Sequence, residues 1–182
     1  MIKNYNEFIN EKLTLNDISK MKRQYNYQPK NKSELKYLIQ QLIKERGNKG
    51  DFNDIDTSLI TDMSMLFDRN QTFNGDISRW DTSNVNSMLC MFSFAHSFNQ
   101  YIGDWDTSKV TDMSYMFNYA SSFNKPLDRW IVSNVTSMTC MFDNAKKFNQ
   151  DISMWNTAKV QFYTSIFQDC PIRKNFKPNF KN

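Results

Sequence analysis

The chain has 182 residues, of which 23% are charged and 15% aromatic, a formal net charge of +4, and only four glycines and four prolines. This composition excludes a disordered or collagen-like protein, and no apolar run reaches the roughly 18 residues that a membrane helix needs. Three cysteines without a CxxC spacing fit neither a disulfide scaffold nor a zinc site, which favours a reducing compartment.

Residues 1–50 are predicted to form an N-terminal helical segment. Ser33 is placed to cap a helix that has Lys44 and Arg46 in its last turn and Gly47 just beyond it. The apolar stripe of this helix consists of Leu35, Leu38, Ile39, Leu42 and Ile43. We expect the segment to cover the exposed end of the domain that follows.

Residues 51–170 repeat with a period of 25 residues, in four full copies and a degenerate fifth. A unit of this length cannot bury its own apolar face, whereas stacked copies can share one continuous core. We therefore expect the recurring apolar positions to be core residues. The main columns are Trp80, Trp105, Trp130 and Trp155; Met63, Met88, Met113 and Met138; Phe67, Phe92, Phe117, Phe142 and Phe167; and Phe73, Phe98, Phe123 and Phe148.

Each copy is predicted to contain one short helix and one short strand. Met113, Met116, Phe117, Ala120 and Phe123 have the spacing of one helical face, and the following stretch, FNQYIGDW, loses that period and favours a strand. The predicted fold class is α/β, a leucine-rich-repeat-like solenoid of about four to five 25-residue strand–helix coils.

An asparagine follows the second phenylalanine of each full copy. This column is expected to hydrogen-bond the backbone at the turn between adjacent coils, the alternative being a surface row with a binding role. Its members are Asn74, Asn99, Asn124 and Asn149.

Residues 171–182 are predicted to be a basic C-terminal cap or tail. Arg173, Lys174 and Lys177 replace the apolar residues of the columns there. The tail's mixture of basic residues and phenylalanine is compatible with stacking on single-stranded nucleic acid. However, the repeats are net acidic and offer no continuous basic stripe, so nucleic acid is not the expected partner.

Residues with catalytic or metal-binding potential are sparse. His96 is the one histidine and occupies a variable position, so no cluster of histidines can form. A row of aspartates near the tryptophan column is expected to cap turns, because the glycine-rich signature of a calcium-binding repeat is missing. We predict no enzymatic activity, catalytic residue, metal or cofactor.

The repeat resembles a known family. Its unit reads W-D-x-S-x-V-T-x-M-x-x-M-F-x-x-A-x-x-F-N-x-x-I-S-x-W. This unit resembles the repeat of the BspA-like leucine-rich-repeat surface proteins of bacteria, and the resemblance extends over about residues 29–170. It implies a solenoid with a role in binding or adhesion rather than catalysis. Surface members of that family carry an export signal or lipid anchor, which this sequence does not display.

The N-terminal stretch MIKNYNEFINE resembles the capsid-targeting leader of T-even-type bacteriophage internal proteins. That leader is removed after a glutamate in an Ile/Leu-x-Glu context, and Ile9, Asn10 and Glu11 match it. The alternative is an amphipathic helix that packs Tyr5, Phe8 and Ile9 on the repeats.

If the columns are core, partners must bind at the positions that vary between repeats. Aromatic residues and arginine are the types that anchor protein interfaces. The candidate partner-binding residues are Phe94, Gln100, Tyr101, Asp104, Tyr119, Lys125, Asp128, Arg129, Asp151 and Met154.

The sequence therefore predicts a non-enzymatic module that binds another protein. One version is a phage-encoded accessory factor, in the cytoplasm of a bacterium or infected cell or in the virion, that inhibits or redirects a host protein. The alternative is a bacterial adhesion protein at the cell surface that binds an extracellular host ligand. Homo-oligomerisation through an end of the stack also stays open.

Overall fold

The computed structural model describes residues 25–180. Within that range it contains one α-helix, α1 (Lys32–Arg46), and a single-turn 3-10 helix at Lys174–Phe176. The remainder is turns joined by isolated parallel β-bridges, without an extended strand.

Helix α1 begins two residues earlier than its sequence suggests. Asn31, rather than Ser33, is the N-cap, because its side-chain oxygen accepts a hydrogen bond from the backbone N–H of Glu34 at 3.0 Å. The predicted end is confirmed: Gly47 has φ 74° and donates its N–H to the carbonyl of Ile43 at 2.8 Å. The face that packs on the repeats buries Leu35, Ile39 and Leu42.

The predicted α/β, leucine-rich-repeat-like solenoid of strand–helix coils is wrong, because the repeats contain neither element. Where a helix was expected, Tyr115 and Tyr119 have φ values of 57° and 56°, which an α-helix does not allow. Short-range bonds there join every second N–H to the carbonyl three residues earlier, as in the 3.0 Å bond from Ala120 to Phe117. The segment is a series of turns.

The turns form because alternate N–H groups bond to the next repeat instead of along a helix. In the third repeat four N–H groups donate to carbonyls 24 residues ahead, at 2.8 to 3.0 Å. The same pattern recurs in the other repeats, and parallel bridges link Asp62, Ser87, Asp112, Ser137 and Phe162 in succession. The donors in the third repeat are Met113, Tyr115, Phe117 and Tyr119, and their acceptors are Ser137, Thr139, Met141 and Asp143.

The predicted core columns are confirmed as ladders of stacked side chains. The ring centroids of Phe92 and Phe117 are 5.7 Å apart with an interplanar angle of 8°, and those of Phe98 and Phe123 are 5.8 Å apart. Trp80 and Trp105 stack in the same way at 6.4 Å. The tryptophan, methionine and phenylalanine columns are buried from the second repeat through the fourth. Burial of these rings is the main source of stability.

Chain segments outside the repeats lie on both ends of the stack. Helix α1 covers the first repeat, where the Lys36 ammonium donates to the carbonyl of Met65 at 3.3 Å. Residues 172–180 lie on the last repeat, where Phe180 stacks on Tyr163 at 4.6 Å. The division into residues 1–50, 51–170 and 171–182 stays a prediction, and the leader-like residues Ile9, Asn10 and Glu11 lie outside the described range.

Candidate partner-binding site

The asparagine column organises the turns on which most candidate residues lie. The side-chain oxygen of Asn74 accepts the N–H of Asn99 at 2.9 Å, and the same bond links Asn99 to Asn124 and Asn124 to Asn149. The prediction that this column bonds the backbone between adjacent coils is therefore confirmed. The turns that follow each asparagine are held in register.

Three of the candidate residues form one exposed cluster. The carboxylate oxygen Oδ1 of Asp104 accepts the Tyr101 hydroxyl at 3.0 Å and pairs with the Arg129 guanidinium at 2.7 Å. Partial burial of the Tyr101 ring, together with its bond to Asp104, raises the pKa of Tyr101. A Cβ atom on Gly103 would lie 2.9 Å from that ring, so glycine is what allows the ring to lie there.

Three further candidates line a pocket one repeat further along. Asp128, Asp151 and Met154 contribute to its wall, and its volume is about 300 Å³. The remaining lining residues are Pro126, Gln150, Ile152 and Trp155. Met154 is 88% exposed, far more than any other large apolar side chain in residues 25–180.

The aspartates that were expected to cap turns do so in most repeats. Asp76, Asp106 and Asp151 each accept the backbone N–H two residues ahead at 2.9 Å. For Asp106 and Asp151 the bond from the following serine is the leading cause that lowers the pKa of the carboxyl. Asp104 and Asp128 do not cap turns in this way, so their carboxylates face other groups.

Two candidates lie on a different part of the coil. Phe94 and Tyr119 stack face to face at 4.8 Å, and the Arg69 guanidinium lies 5.4 Å from the centre of the Phe94 ring. The Nδ1–H of His96 donates a 2.9 Å hydrogen bond to the carbonyl of Tyr119. These residues form a short aromatic row on the turns that replace the predicted helix.

The last two candidates have more limited roles. The Gln100 side chain is half-buried and donates to the carbonyl of Asn74 at 2.8 Å, a bond that supports the turn. Lys125 is half-buried beside the pocket residue Pro126. Whether any of the ten residues contacts a partner stays a prediction.

Sequence reasoning missed several exposed apolar side chains, three of which occupy otherwise polar columns. Leu59, Ile131 and Phe162 are 62%, 53% and 60% exposed. Each occupies a column that holds polar residues in other repeats, as Ile131 does in the column of Asp81 and Asp106. An apolar residue in a polar column was the signal available in the sequence.

Side chains that can ligate metals, and cysteine thiols, are present among the described residues. No group of three or more His, Cys, Asp and Glu side chains in residues 25–180 is arranged to hold a metal ion. Cys90, Cys140 and Cys170 are free thiols, and burial raises the pKa of Cys90 and Cys170, which disfavours the reactive thiolate. Over the same range, no helix combines the length and apolarity that crossing a bilayer requires.

Comparison with known proteins returns one family. A family model described as "Mycoplasma protein of unknown function, DUF285" matches residues 33–132 and, in a second alignment, residues 102–177. Two overlapping matches along one chain are consistent with a BspA-like repeat family. No curated protein and no solved structure matches the chain.

Proposed function

The chain belongs to the DUF285 family, and from that premise we propose that it is a non-enzymatic module that binds another protein. The observation that carries this proposal is Met154, 88% exposed on the rim of a pocket and next in its column to the paired Arg129. Removing such an exposed apolar side chain from water is favourable, and in this protein only a bound partner could cover it.

The rigid frame supports the same function. The backbone bonds between repeats and the stacked rings hold the turns in place. The backbone that carries the exposed variable side chains therefore loses little conformational entropy when a partner binds. Tyr101 and Arg129 are fixed by Asp104 in the unbound protein. Pre-organised aromatic and arginine side chains are the usual anchors of protein interfaces.

Two biological settings follow from this proposal. In the first, the chain is a phage-encoded accessory factor in the cytoplasm or virion that inhibits or redirects a host protein. In the second, it is a bacterial surface protein whose export is arranged elsewhere, and it binds an extracellular host ligand. The BspA-like character of the repeat supports the second setting, and the leader-like residues Ile9, Asn10 and Glu11 support the first.

Affinity capture tests the proposal. Wild-type protein and two variants, Met154→Ser and the double variant Tyr101→Ala, Arg129→Ala, would be incubated with bacterial lysate and, separately, with extracellular host proteins. We expect a partner that wild type retains and that both variants lose. Leu59→Ser is the matched control, because it removes another exposed apolar side chain, from the first repeat. Equal capture by wild type and both variants would refute the proposed site.

A further inference from the structure

The pocket beside Met154 has a definite chemical character. Its floor and walls include the apolar side chains of Ile152, Trp155 and Pro126, and its polar groups include the two carboxylates of Asp128 and Asp151. At about 300 Å³ it lies at the small end of the range for ligand sites, enough for one long side chain.

Neither carboxylate is paired with a cation within residues 25–180. Asp151 uses its oxygen Oδ1 to accept the N–H of Ser153 at 2.9 Å. The nearby guanidinium of Arg129 is already committed to Asp104 at 2.7 Å. Arg129 also interacts electrostatically with Asp128, but no cation within residues 25–180 forms an ion pair with either pocket carboxylate.

The preceding repeat shows why this pocket is open. There the Tyr101 ring lies against Gly103, and Arg129 reaches back to Asp104. One repeat later, Pro126 stands in place of Tyr101, Asp128 in place of Gly103 and Met154 in place of Arg129. A proline ring is tied to its own backbone and cannot extend across the turn. Proline and methionine thus fill the positions that the aromatic ring and the cation occupy one repeat earlier.

We propose that the pocket binds a lysine or arginine side chain of the protein partner, an inference that rests on the proposed function. The methylene stem of the incoming residue packs on Met154 and Ile152, as long cationic side chains do on apolar surface. Its charged head lies between the carboxylates of Asp128 and Asp151, with the Trp155 indole forming part of the wall. The Arg129–Asp104 pair is the intramolecular counterpart of this contact.

Small probes test the chemistry directly. Acetyl-arginine amide and acetyl-lysine amide would be titrated into the full-length protein, with acetyl-citrulline amide as the neutral match for arginine. The readout is the carbon-13 methyl signal of Met154, assigned from its loss in Met154→Leu. We expect a saturable shift with both cations, and an affinity about tenfold lower for citrulline.

Charge-neutral variants locate the binding. In the double variant Asp128→Asn, Asp151→Asn the affinity for acetyl-arginine amide should fall about tenfold, since two exposed ion pairs are lost. An asparagine at 151 can still accept the N–H of Ser153, so the turn is retained. Asp169→Asn, which removes a carboxylate that pairs with Lys146, is the control and should leave the affinity unchanged.

Failure of this inference differs from failure of the proposed function. An identical response to arginine and citrulline, or no shift of the Met154 methyl, would overturn the assignment of a cationic side chain to the pocket. The function would still stand if Met154→Ser lost the captured partner. Conversely, cation binding together with equal capture by wild type, Met154→Ser and the Tyr101→Ala, Arg129→Ala variant would leave the pocket chemistry intact and refute the proposed partner-binding site.

Discussion

The side-chain oxygen of Asn99 accepts a hydrogen bond from the backbone N–H of Asn124, which lies 25 residues further along the chain, at a distance of 2.9 Å. The bond satisfies a backbone donor at the turn between two repeats. The same bond recurs at every full repeat, so the asparagine column fixes the alignment of each repeat with the next.

Replacing this acceptor should destabilise the fold. We expect Asn99→Ala to lower the free energy of unfolding by about 1 to 3 kcal/mol, because the N–H of Asn124 loses its partner at a packed turn. Asn99→Asp retains an oxygen acceptor and should cost clearly less. Urea unfolding followed by tryptophan fluorescence measures both, and equal losses would show that the bond has no part in stability.

One repeat lacks the hydroxyl that a threonine supplies at the same position in its neighbours. Thr82 and Thr107 each donate their hydroxyl to a carbonyl 24 residues ahead at 3.0 Å, whereas Val132 occupies the same position in the next repeat. We expect Thr107→Val to cost about 1 kcal/mol and Val132→Thr to gain up to about 1 kcal/mol. The midpoints of thermal unfolding report both changes. Destabilisation by Val132→Thr would mean that methyl packing outweighs the added bond.

Positive φ angles make two columns sensitive to branched side chains. Asn144 has φ 57°, a conformation that glycine and asparagine tolerate and β-branched residues avoid. Asn144→Val should therefore lower the free energy of unfolding by about 1 to 2 kcal/mol, while Asn144→Gly should change it by less than about 0.5 kcal/mol. If valine and glycine prove equivalent in chemical denaturation, the turn geometry is not as described.

The ion pair between Arg46 and Asp54 should make stability depend on pH. Hydrogen bonds from the guanidinium, 2.7 and 3.0 Å long, hold the pKa of Asp54 below its usual value. A lowered pKa in the folded state adds stability above the unfolded pKa of about 3.9, and this stability is lost as pH falls through the folded value.

Removal of the pair should flatten that dependence. Asp54→Asn is expected to cost about 1 to 2 kcal/mol near neutral pH and to show a smaller further loss between about pH 5 and pH 2 than wild type. Arg46→Gln removes the pair from the other side and should flatten the curve in the same way. Parallel pH curves for wild type and both variants, measured by urea denaturation, would rule the pair out.

The sequence predicted the core columns, the asparagine ladder and the end of helix α1, because each is a local pattern or a strict recurrence. It did not predict the turns. The spacing of Met113, Met116 and Phe117 fits a helix as well as a turn series, and a tyrosine at Tyr115 gives no sign of a positive φ. The hydrogen bonds to the next repeat select the turns over the helix, and these bonds form only when the repeats are stacked.

The candidate site was predicted in part for the same reason. Tyr101, Asp104 and Arg129 were named separately as variable positions, but their contact depends on which side chains of adjacent coils reach one another. The pocket arises where Pro126 and Met154 break their columns. Comparing neighbouring positions of adjacent repeats together, rather than one column at a time, would have indicated the pocket.

Site-specific photo-crosslinking tests the central claim that a protein partner covers the surface around Met154. Benzoylphenylalanine would be placed at position 154 and, as a control, at position 59, where Leu59 is also apolar and exposed but lies in the first repeat. The account predicts one major crosslinked protein from position 154, suppressed by excess unlabelled wild type, and none from position 59. Crosslinking from position 59 with none from position 154 would contradict it.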